Sequence, residues 1–355
     1  MRRAIAHARR GLGRTAPNPL VGACVVSDDG VVLGQGAHER AGEPHAEIHA
    51  LDEAGTDARG ATLYCTLEPC AHTGRTGPCT ERVIAAGIRR VVAAMEDPFP
   101  LVSGRGFAAL RASGIQVEVG VEHDAAVRLN QPYLNALRTG RPFVTLKAAT
   151  SLDGRIAETA GRRTPLTSLP ALRHAHSVRA HVDAVAVGSN TVLVDDPLLT
   201  VREVYRERPL TRVVFDRRLR VSPDARIFST LAQGPVVVIT SLRAVQAGGA
   251  RIDALRSAGA TVLGAERDDC RSGLELLGSL GVQSLVLEGG AALHGAAWDE
   301  GVVDAVQLYV APVVLGAAGV PLLDGRGFSS TSLLERRLDL LGPDVLIEGY
   351  VHRPH

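Results

Sequence analysis

The chain has 355 residues, of which 45% are hydrophobic and 22% charged, and its formal net charge is +1. That length favours two domains over one, while near-neutral charge and 3% aromatics argue against a nucleic-acid binder built on phosphate attraction or base stacking. No stretch is long and apolar enough to span a bilayer, the N-terminal Met1-Arg2-Arg3-Ala4-Ile5 lacks an apolar signal core, and five cysteines make no disulfide framework, so a cytoplasmic protein without nucleic-acid or membrane partners is expected.

Residues 2 to 12 read as an amphipathic helix. Thr15-Ala16-Pro17-Asn18-Pro19 is a turn, with two prolines bracketing an asparagine. Asn18 has two readings there, a turn former or an amide that bonds a substrate. Val21 to Ser27 and Val31 to Ala37 are strands joined by the hairpin signal Asp28-Asp29-Gly30. A helix is expected to open at Pro44 and to carry Ala46, Ile48, Ala50 and Leu51. His45 and Glu47 would sit in its first turn, about 200° apart. A strand over Ala61 to Thr66 leads to Cys70, and Pro78-Cys79 opens a helix that Gly87 closes. Cys79 then lies at a helix N-terminus, where thiolate is favoured.

His45, Cys70 and Cys79 form a three-ligand set for zinc. Three protein ligands leave a fourth position for water, whose pKa falls toward ~7. Glu47 is not a ligand and is free to shuttle protons. His-x-Glu, then Pro-Cys and a later Cys, is the signature of zinc deaminases acting on cytosine-like or adenine-like rings. A His45/His49 zinc pair is an alternative, but the two cysteines are preferred and His49 is read as a packed helix residue. A structural zinc module would need a fourth protein ligand and would leave Glu47 unexplained. Cys24, Cys65 and Cys270 lie in or beside apolar runs and read as inert.

The spacing between the two cysteines departs from the common Cys-x-x-Cys, because eight residues, including His72 and Gly74-Arg75-Thr76-Gly77, separate Cys70 from Cys79. With Asn18 to Gly22, Ala41 to Glu47 and Thr66 to Cys79, the pattern resembles the first domain of the bifunctional deaminase–reductase of riboflavin biosynthesis. That resemblance implies a cytidine-deaminase-like zinc domain, a mixed sheet flanked by helices, that deaminates a diaminopyrimidine carrying ribose phosphate. Asn18 and His72 would contact this phosphorylated substrate. For His72, Arg75 and Thr76, gripping the phosphate or ribose competes with simple loop stabilisation.

A strand at Arg90 to Met95, a helix at Gly104 to Ser113, a strand at Ile115 to Val119 and one helix over Glu122 to Leu137 complete the first half as an α/β layer. Thr139-Gly140-Arg141-Pro142 breaks the pattern, which places a domain boundary between residues 1–140 and 141–355. The second half starts with a strand, Phe143 to Ala149, carrying Lys147, the chain's only lysine in an arginine-rich background. Either that lysine is kept for its compact, titratable ammonium or it survives by chance. Ser151-Leu152-Asp153-Gly154-Arg155 is a turn, Thr167 to His181 a helix, Asp183 to Gly188 a strand, and Ser189 to Arg202 a loop dense in hydroxyls and acids. Strands near Arg212 to Phe215, Pro235 to Ile239 and Ser284 to Leu287 alternate with helices. Glu288-Gly289-Gly290 leads into a further helix, and reads either as a tight turn or as a phosphate seat. It is not a dinucleotide fingerprint.

The second half resembles the reductase domain of the same enzyme, a fold similar to dihydrofolate reductase, through Leu146-Lys147, Ser151 to Arg155, Thr191 to Arg202 and Glu288-Gly289-Gly290. The resemblance implies NADPH-dependent reduction of the ribosyl group to ribityl. Substrate would meet Lys147, Arg163, Arg179, Leu199, Arg202 and Glu288. Cofactor would meet Ala149, Pro165, Thr191, Asp195 and the run Gly290, Ala291, Ala292, Leu293, His294, Gly295 and Ala296. Arginines between Arg202 and Arg220 have two readings, a reader of the 2′-phosphate or a solvated basic face. Family members usually read Ser-Gln-Trp-Ile-Thr-Ser where this chain has Arg163-Thr164-Pro165-Leu166-Thr167-Ser168, so Pro165 stands for the tryptophan and Arg163 for the serine. The alternative is therefore a deaminase whose second domain is inactive or acts on another substrate. A homo-oligomer is also implied by the resemblance.

Overall fold

A computed structural model describes residues 1–71, 77–323 and 327–352. The chain folds as two compact units, Met1–Thr139 and a second that begins at Gly140. Among the described residues, no helix is long and apolar enough to cross a membrane.

The first unit is built on five strands, β1 (Gly22–Val26), β2 (Val32–Ala37), β3 (Thr62–Cys65), β4 (Arg90–Ala93) and β5 (Gln116–Val119). They lie in the order β2-β1-β3-β4-β5. β1 pairs antiparallel with both β2 and β3, and β3, β4 and β5 run parallel, so the sheet is mixed. Helices α1 (Arg2–Ala8), α2 (Ala46–Ala54), α3 (Cys79–Ala85), α4 (Arg105–Ala112), α5 (His123–Leu129) and α6 (Gln131–Thr139) accompany it. Missing side chains let α2 approach β2: a Cβ on Gly34 would lie 2.1 Å from the Ala50 carbonyl oxygen, and one on Gly36 2.4 Å from that of Ala46. α2 is thereby held at the sheet with Glu47 turned inward and buried.

Two expectations for this unit are corrected. α2 opens at Ala46, not Pro44, and His45 is its N-cap with extended backbone (φ −74°, ψ 162°). The His45 carbonyl accepts the first helical bonds, from Ile48 and His49, so the imidazole leaves the chain before the helix begins. The single helix expected over Glu122 to Leu137 is two, broken at Asn130. Its side chain is committed elsewhere: Oδ1 accepts the Leu20 N–H at 2.8 Å and Nδ2 donates to the Leu20 carbonyl at 3.0 Å. Pro132 also removes a helical donor at that point.

The second unit contains β6 (Phe143–Thr150), β7 (Arg155–Ala157), β8 (Ala184–Gly188), β9 (Thr211–Phe215), β10 (Val236–Ser241), β11 (Ala260–Ala265), β12 (Ser284–Leu287), β13 (Ala305–Val310), β14 (Val320–Pro321), β15 (Leu334–Leu341) and β16 (Asp344–Tyr350). Nine of these form one sheet in the order β11-β10-β9-β8-β12-β6-β13-β16-β15. β11 to β13 in that order are parallel, while β16 and β15 add antiparallel pairs at one edge. The central strands read as continuous apolar runs, such as Ala184-Val185-Ala186-Val187, because both faces are covered. Helices α7 (Leu169–His181), α8 (Ser189–Asp195), α9 (Leu242–Ala247), α10 (Ala250–Ser257), α11 (Cys270–Ser279) and α12 (Ala291–Asp299) complete the unit. Part of the loop expected over Ser189 to Arg202 is therefore helical; Asp196 in the left-handed region (φ 40°) ends α8, and Pro197 follows.

At the start of the unit, Arg141 forms a buried two-pronged ion pair with Asp304, at 2.7 and 2.8 Å, and Asp304 also accepts the Val144 N–H at 2.8 Å. The order of strands reverses around β12, between β8 and β6. Such a reversal opens a crevice at the carboxyl ends of the strands.

A methyl group at Gly36 must push α2 off β2. Gly36→Ala is expected to cost about 1–3 kcal/mol in chemical denaturation and to lower bound metal in the purified protein; a variant as stable as the parent would contradict this packing.

Candidate active sites, one in each unit

In the first unit the donor atoms of His45, Cys70 and Cys79 all lie within 4.8 Å of one another. His45 Nδ1 is 3.2 Å from the Cys79 sulfur and 3.6 Å from that of Cys70. Each donor arrives by a different local device. The imidazole comes from a helix N-cap, Cys79 is the first residue of α3, and Cys70 lies in the loop after β3. The Cys79 N–H donates to the Cys70 sulfur at 3.4 Å, and the Thr80 N–H to the Cys70 carbonyl at 3.1 Å. The start of α3 thus holds both thiols. The Cys79 thiol and His45 pull the Cys70 pKa down to about 4, and Cys79, the donor of the pair, is pushed up.

Glu47 is 2% exposed, and burial raises its carboxyl pKa. Its Oε2 finds no hydrogen-bond partner among the described residues. One imidazole and two thiols with a buried, unsatisfied carboxylate beside them fit a zinc ion with an open position. His49 is outside the cluster. Asn18 donates from Nδ2 to His38 Nε2 at 3.0 Å, and His38 Nδ1 donates to the Pro44 carbonyl at 3.2 Å. His38 is 2% exposed and its ring lies edge-on to His45 with centroids 5.2 Å apart. His72, Arg75 and Thr76 lie outside the described residues.

Two residues of this surround have no role in the sequence reading. His38 is one. Glu68 is the other: its carboxylate accepts the N–H groups of Gly104 (3.0 Å), Gly106 (2.8 Å), Phe107 (3.2 Å) and Asp97 (3.3 Å). It ties the loop bearing Cys70 to the start of α4. The one sequence signal was its place two residues before Cys70.

In the second unit a cavity of about 1190 Å³ opens at the carboxyl ends of the parallel strands. That exceeds an ordinary small-ligand pocket of roughly 300–1,000 Å³ and leaves room for a dinucleotide beside a second ligand. Its wall includes Lys147, Arg163, Arg179, Leu199, Arg202 and Glu288. Ala149, Pro165, Thr191, Asp195, Gly290, Ala291, Ala292, Leu293, His294 and Ala296 line it too. Gly295 does not: it is buried within α12, away from the cavity surface.

Glu288 follows β12 directly and is held at both oxygens by Arg179, at 2.6 Å each. Arg179 also donates to the Thr200 carbonyl at 3.0 Å. The Lys147 ammonium is 4.0 Å from Glu288 Oε2. Burial alone would raise the Glu288 carboxyl, but Arg179 and Lys147 reverse this and hold its pKa at about 2. Burial lowers Lys147. Arg202 donates to His176 Nε2 from Nη2 at 3.1 Å, and burial with the two arginines keeps His176 neutral, at about 4. Burial raises Asp195, against the neighbouring charge of Arg163.

Gly290 (φ +67°) precedes α12, and a Cβ there would sit 3.4 Å from Thr191 Oγ1. Gly289 leaves space that its own Cβ would take from Val187 and Gly188, at 2.6 Å. A bare backbone entering a helix N-terminus at a large cavity suits a dinucleotide's phosphates, so the residues present fit the expected cofactor.

Two family models match the chain: "RibD C-terminal domain" over residues 142–350, and "Cytidine and deoxycytidylate deaminase zinc-binding region" over residues 1–95. The riboflavin biosynthesis protein RibD of Aquifex aeolicus (strain VF5) is 40% identical over 349 residues, covering 98% of this chain and 96% of its own. RibD of Escherichia coli (strain K12) is 39% identical over 375 residues, covering 98% and 97%. Among solved structures, Acinetobacter baumannii RibD (form 1) superposes with a TM-score of 0.86 at 37% identity, covering 98% of this chain and 97% of its own. The diaminohydroxyphosphoribosylaminopyrimidine deaminase/5-amino-6-(5-phosphoribosylamino)uracil reductase of Thermotoga maritima does so with 0.86 at 33% identity, covering 99% and 97%.

His294 sets a pH limit on the second unit. Burial holds its pKa at about 4 against an ordinary 6.5, so the unfolded chain binds the extra proton first. The stability from the neutral ring is complete above pH 6.5 and falls as pH drops toward 4, by about 3 kcal/mol in all. Urea unfolding of the second unit is expected to show this loss between those pH values, and His294→Phe to reduce the slope to what His176 and His181 leave; equal slopes in parent and variant would contradict the assignment.

Proposed function

The chain belongs to the RibD family of bifunctional riboflavin-biosynthesis proteins, and on that premise we propose how its residues divide the work. It is a zinc-dependent deaminase and an NADPH-dependent reductase in one chain. The first activity removes ammonia from 2,5-diamino-6-(5-phosphoribosylamino)pyrimidin-4-one by hydrolysis; the second reduces the ribosyl side chain of the product to ribityl. Residues 1–140 house the deaminase and residues 141–355 the reductase.

His45, Cys70 and Cys79 would hold zinc, which lowers the pKa of a bound water toward ~7. Glu47 carries protons from water to the ring nitrogen and to the departing ammonia. Its burial supports this role, because a dry site raises the carboxyl's pKa and makes it a stronger proton acceptor. The single observation that carries the reading is the convergence of those three donors beside the unpartnered Glu47 Oε2. Asn18 meets the pyrimidine through its side-chain amide, one N–H of which goes to His38.

NADPH supplies a hydride when bound, along the wall made by Gly290 to His294, Ala296 and Thr191. Lys147 faces the substrate with its ammonium, which makes no hydrogen bond to another described residue. Glu288 is fixed as a charge by Arg179, so Arg179 acts by orienting Glu288 as well as lining the site. Arg202, steadied by His176, presents a cation for the substrate phosphate. Pro165 and Arg163 occupy the cavity wall with these residues, and nothing favours a retired second unit. The chain works as a homo-oligomer in the cytoplasm, where its five free, buried cysteines stay reduced.

Glu47→Gln is expected to keep zinc while ammonia release from the diaminopyrimidine falls about 10²–10⁴-fold. Absorbance at 340 nm, followed with NADPH and the deaminated substrate, is expected to match the parent. Zinc loss in this variant, or unchanged ammonia release, would overturn the role of Glu47; a parent that gives neither signal would overturn the substrate.

A further inference from the structure

Lys147 lies on β6 with its side chain 17% exposed. Among the described residues it has one carboxylate partner, Glu288, at 4.0 Å, and Arg179 already occupies both oxygens of that carboxylate. An ion pair that long and that shared does not fix the position of an ammonium on a flexible four-carbon stem. A second contact does. The ammonium stands over the ring of Tyr309, 5.3 Å from its centroid. The register explains why: β13 runs parallel to β6 with Gln307 opposite Lys147, so Tyr309 is the diagonal neighbour two residues on.

Tyr309 is itself held from every side. It is 0% exposed and packs with Ala171 and Ala175 of α7 and with Leu346 of β16. Its hydroxyl and His174 Nδ1 share a hydrogen bond of 2.9 Å, one turn along the same face of α7. That helix also supplies Arg179. The ring is therefore a rigid platform tied to the helix that orients Glu288, and its π face is turned to the one lysine in the chain.

We propose that Tyr309 is a positioning residue of the reductase, its ring face holding the Lys147 ammonium in place for substrate and its hydroxyl anchoring the ring to His174. The inference rests on the reading of Lys147 as the cation that meets the substrate. Tyr309 itself touches neither substrate nor cofactor in this account.

The lone lysine makes a direct test available. Isotope-labelled lysine gives one side-chain resonance by NMR, free of overlap and independent of catalysis. The expected shift is upfield of free lysine, from the ring current of Tyr309, and Tyr309→Leu is expected to abolish it. Replacing residue 309 by phenylalanine and then by its mono-, di- and trifluorinated forms weakens the ring face stepwise at nearly constant size. The reductase kcat is expected to fall with each fluorine, roughly 10-fold across the series. KM for NADPH and ammonia release by the first unit are expected to stay constant, the latter reporting that the chain is folded. A flat kcat series, or a parent lysine resonance at the free position, would overturn the proposal. A parent that oxidises no NADPH would instead contradict the functional reading, while the NMR shift still decides the contact.

Discussion

Two buried glutamates stand at the centre of the two proposed sites, and their surroundings are opposite. Among the described residues, Glu47 keeps its Oε2 without a hydrogen-bond partner. Glu288 is gripped by a guanidinium at both oxygens with an ammonium nearby. Burial raises the pKa of the first carboxyl, while the second, doubly compensated by cations, stays ionised across the working range. In the proposed division of work, the first serves proton transfer in hydrolysis and the second is a fixed charge beside a sugar and a hydride donor. The rest of each unit can be read as what is needed to bury that one group in that one state.

The scaffolding differs accordingly. In the first unit small residues let α2 press on β2, and the helix N-cap frees His45 to reach the thiols. Glu68 then pins the loop that carries Cys70. In the second unit the site is a matter of strand ends. Lys147 on β6, Glu288 after β12 and Gly188 at the end of β8 meet where the order of strands reverses. The first site depends on short segments and the second on long-range register.

That difference sets what the sequence shows. His45, Glu47, Cys70 and Cys79 lie within one short stretch, and their chemistry is specific enough to be read without a fold. The strands of the first half are read within a residue or two, since alternation and the Asp28-Asp29-Gly30 turn are local signals. The break at Asn130 is not legible, because it depends on a side chain bonding Leu20 far away in the chain. Helical φ/ψ at Ser189–Asp195 was hidden by β-branched and hydroxyl residues that favour other structure. In the second half the cavity residues come largely from resemblance, and the structure gathers all of them but Gly295. Tyr309 and His174 carried no signal at all: their meeting is a product of register between β6 and β13 and of the face that α7 turns to the sheet.

The central claim is that one chain holds two separate sites, the first alone requiring metal. The most direct measurement is zinc content before and after chelation, with ammonia release and NADPH oxidation followed separately, the latter on deaminated substrate. The account predicts one zinc per chain, loss of ammonia release on its removal, recovery on adding zinc back, and NADPH oxidation unchanged throughout. Loss of both activities together in a chain that remains folded, or survival of ammonia release without zinc, would contradict it.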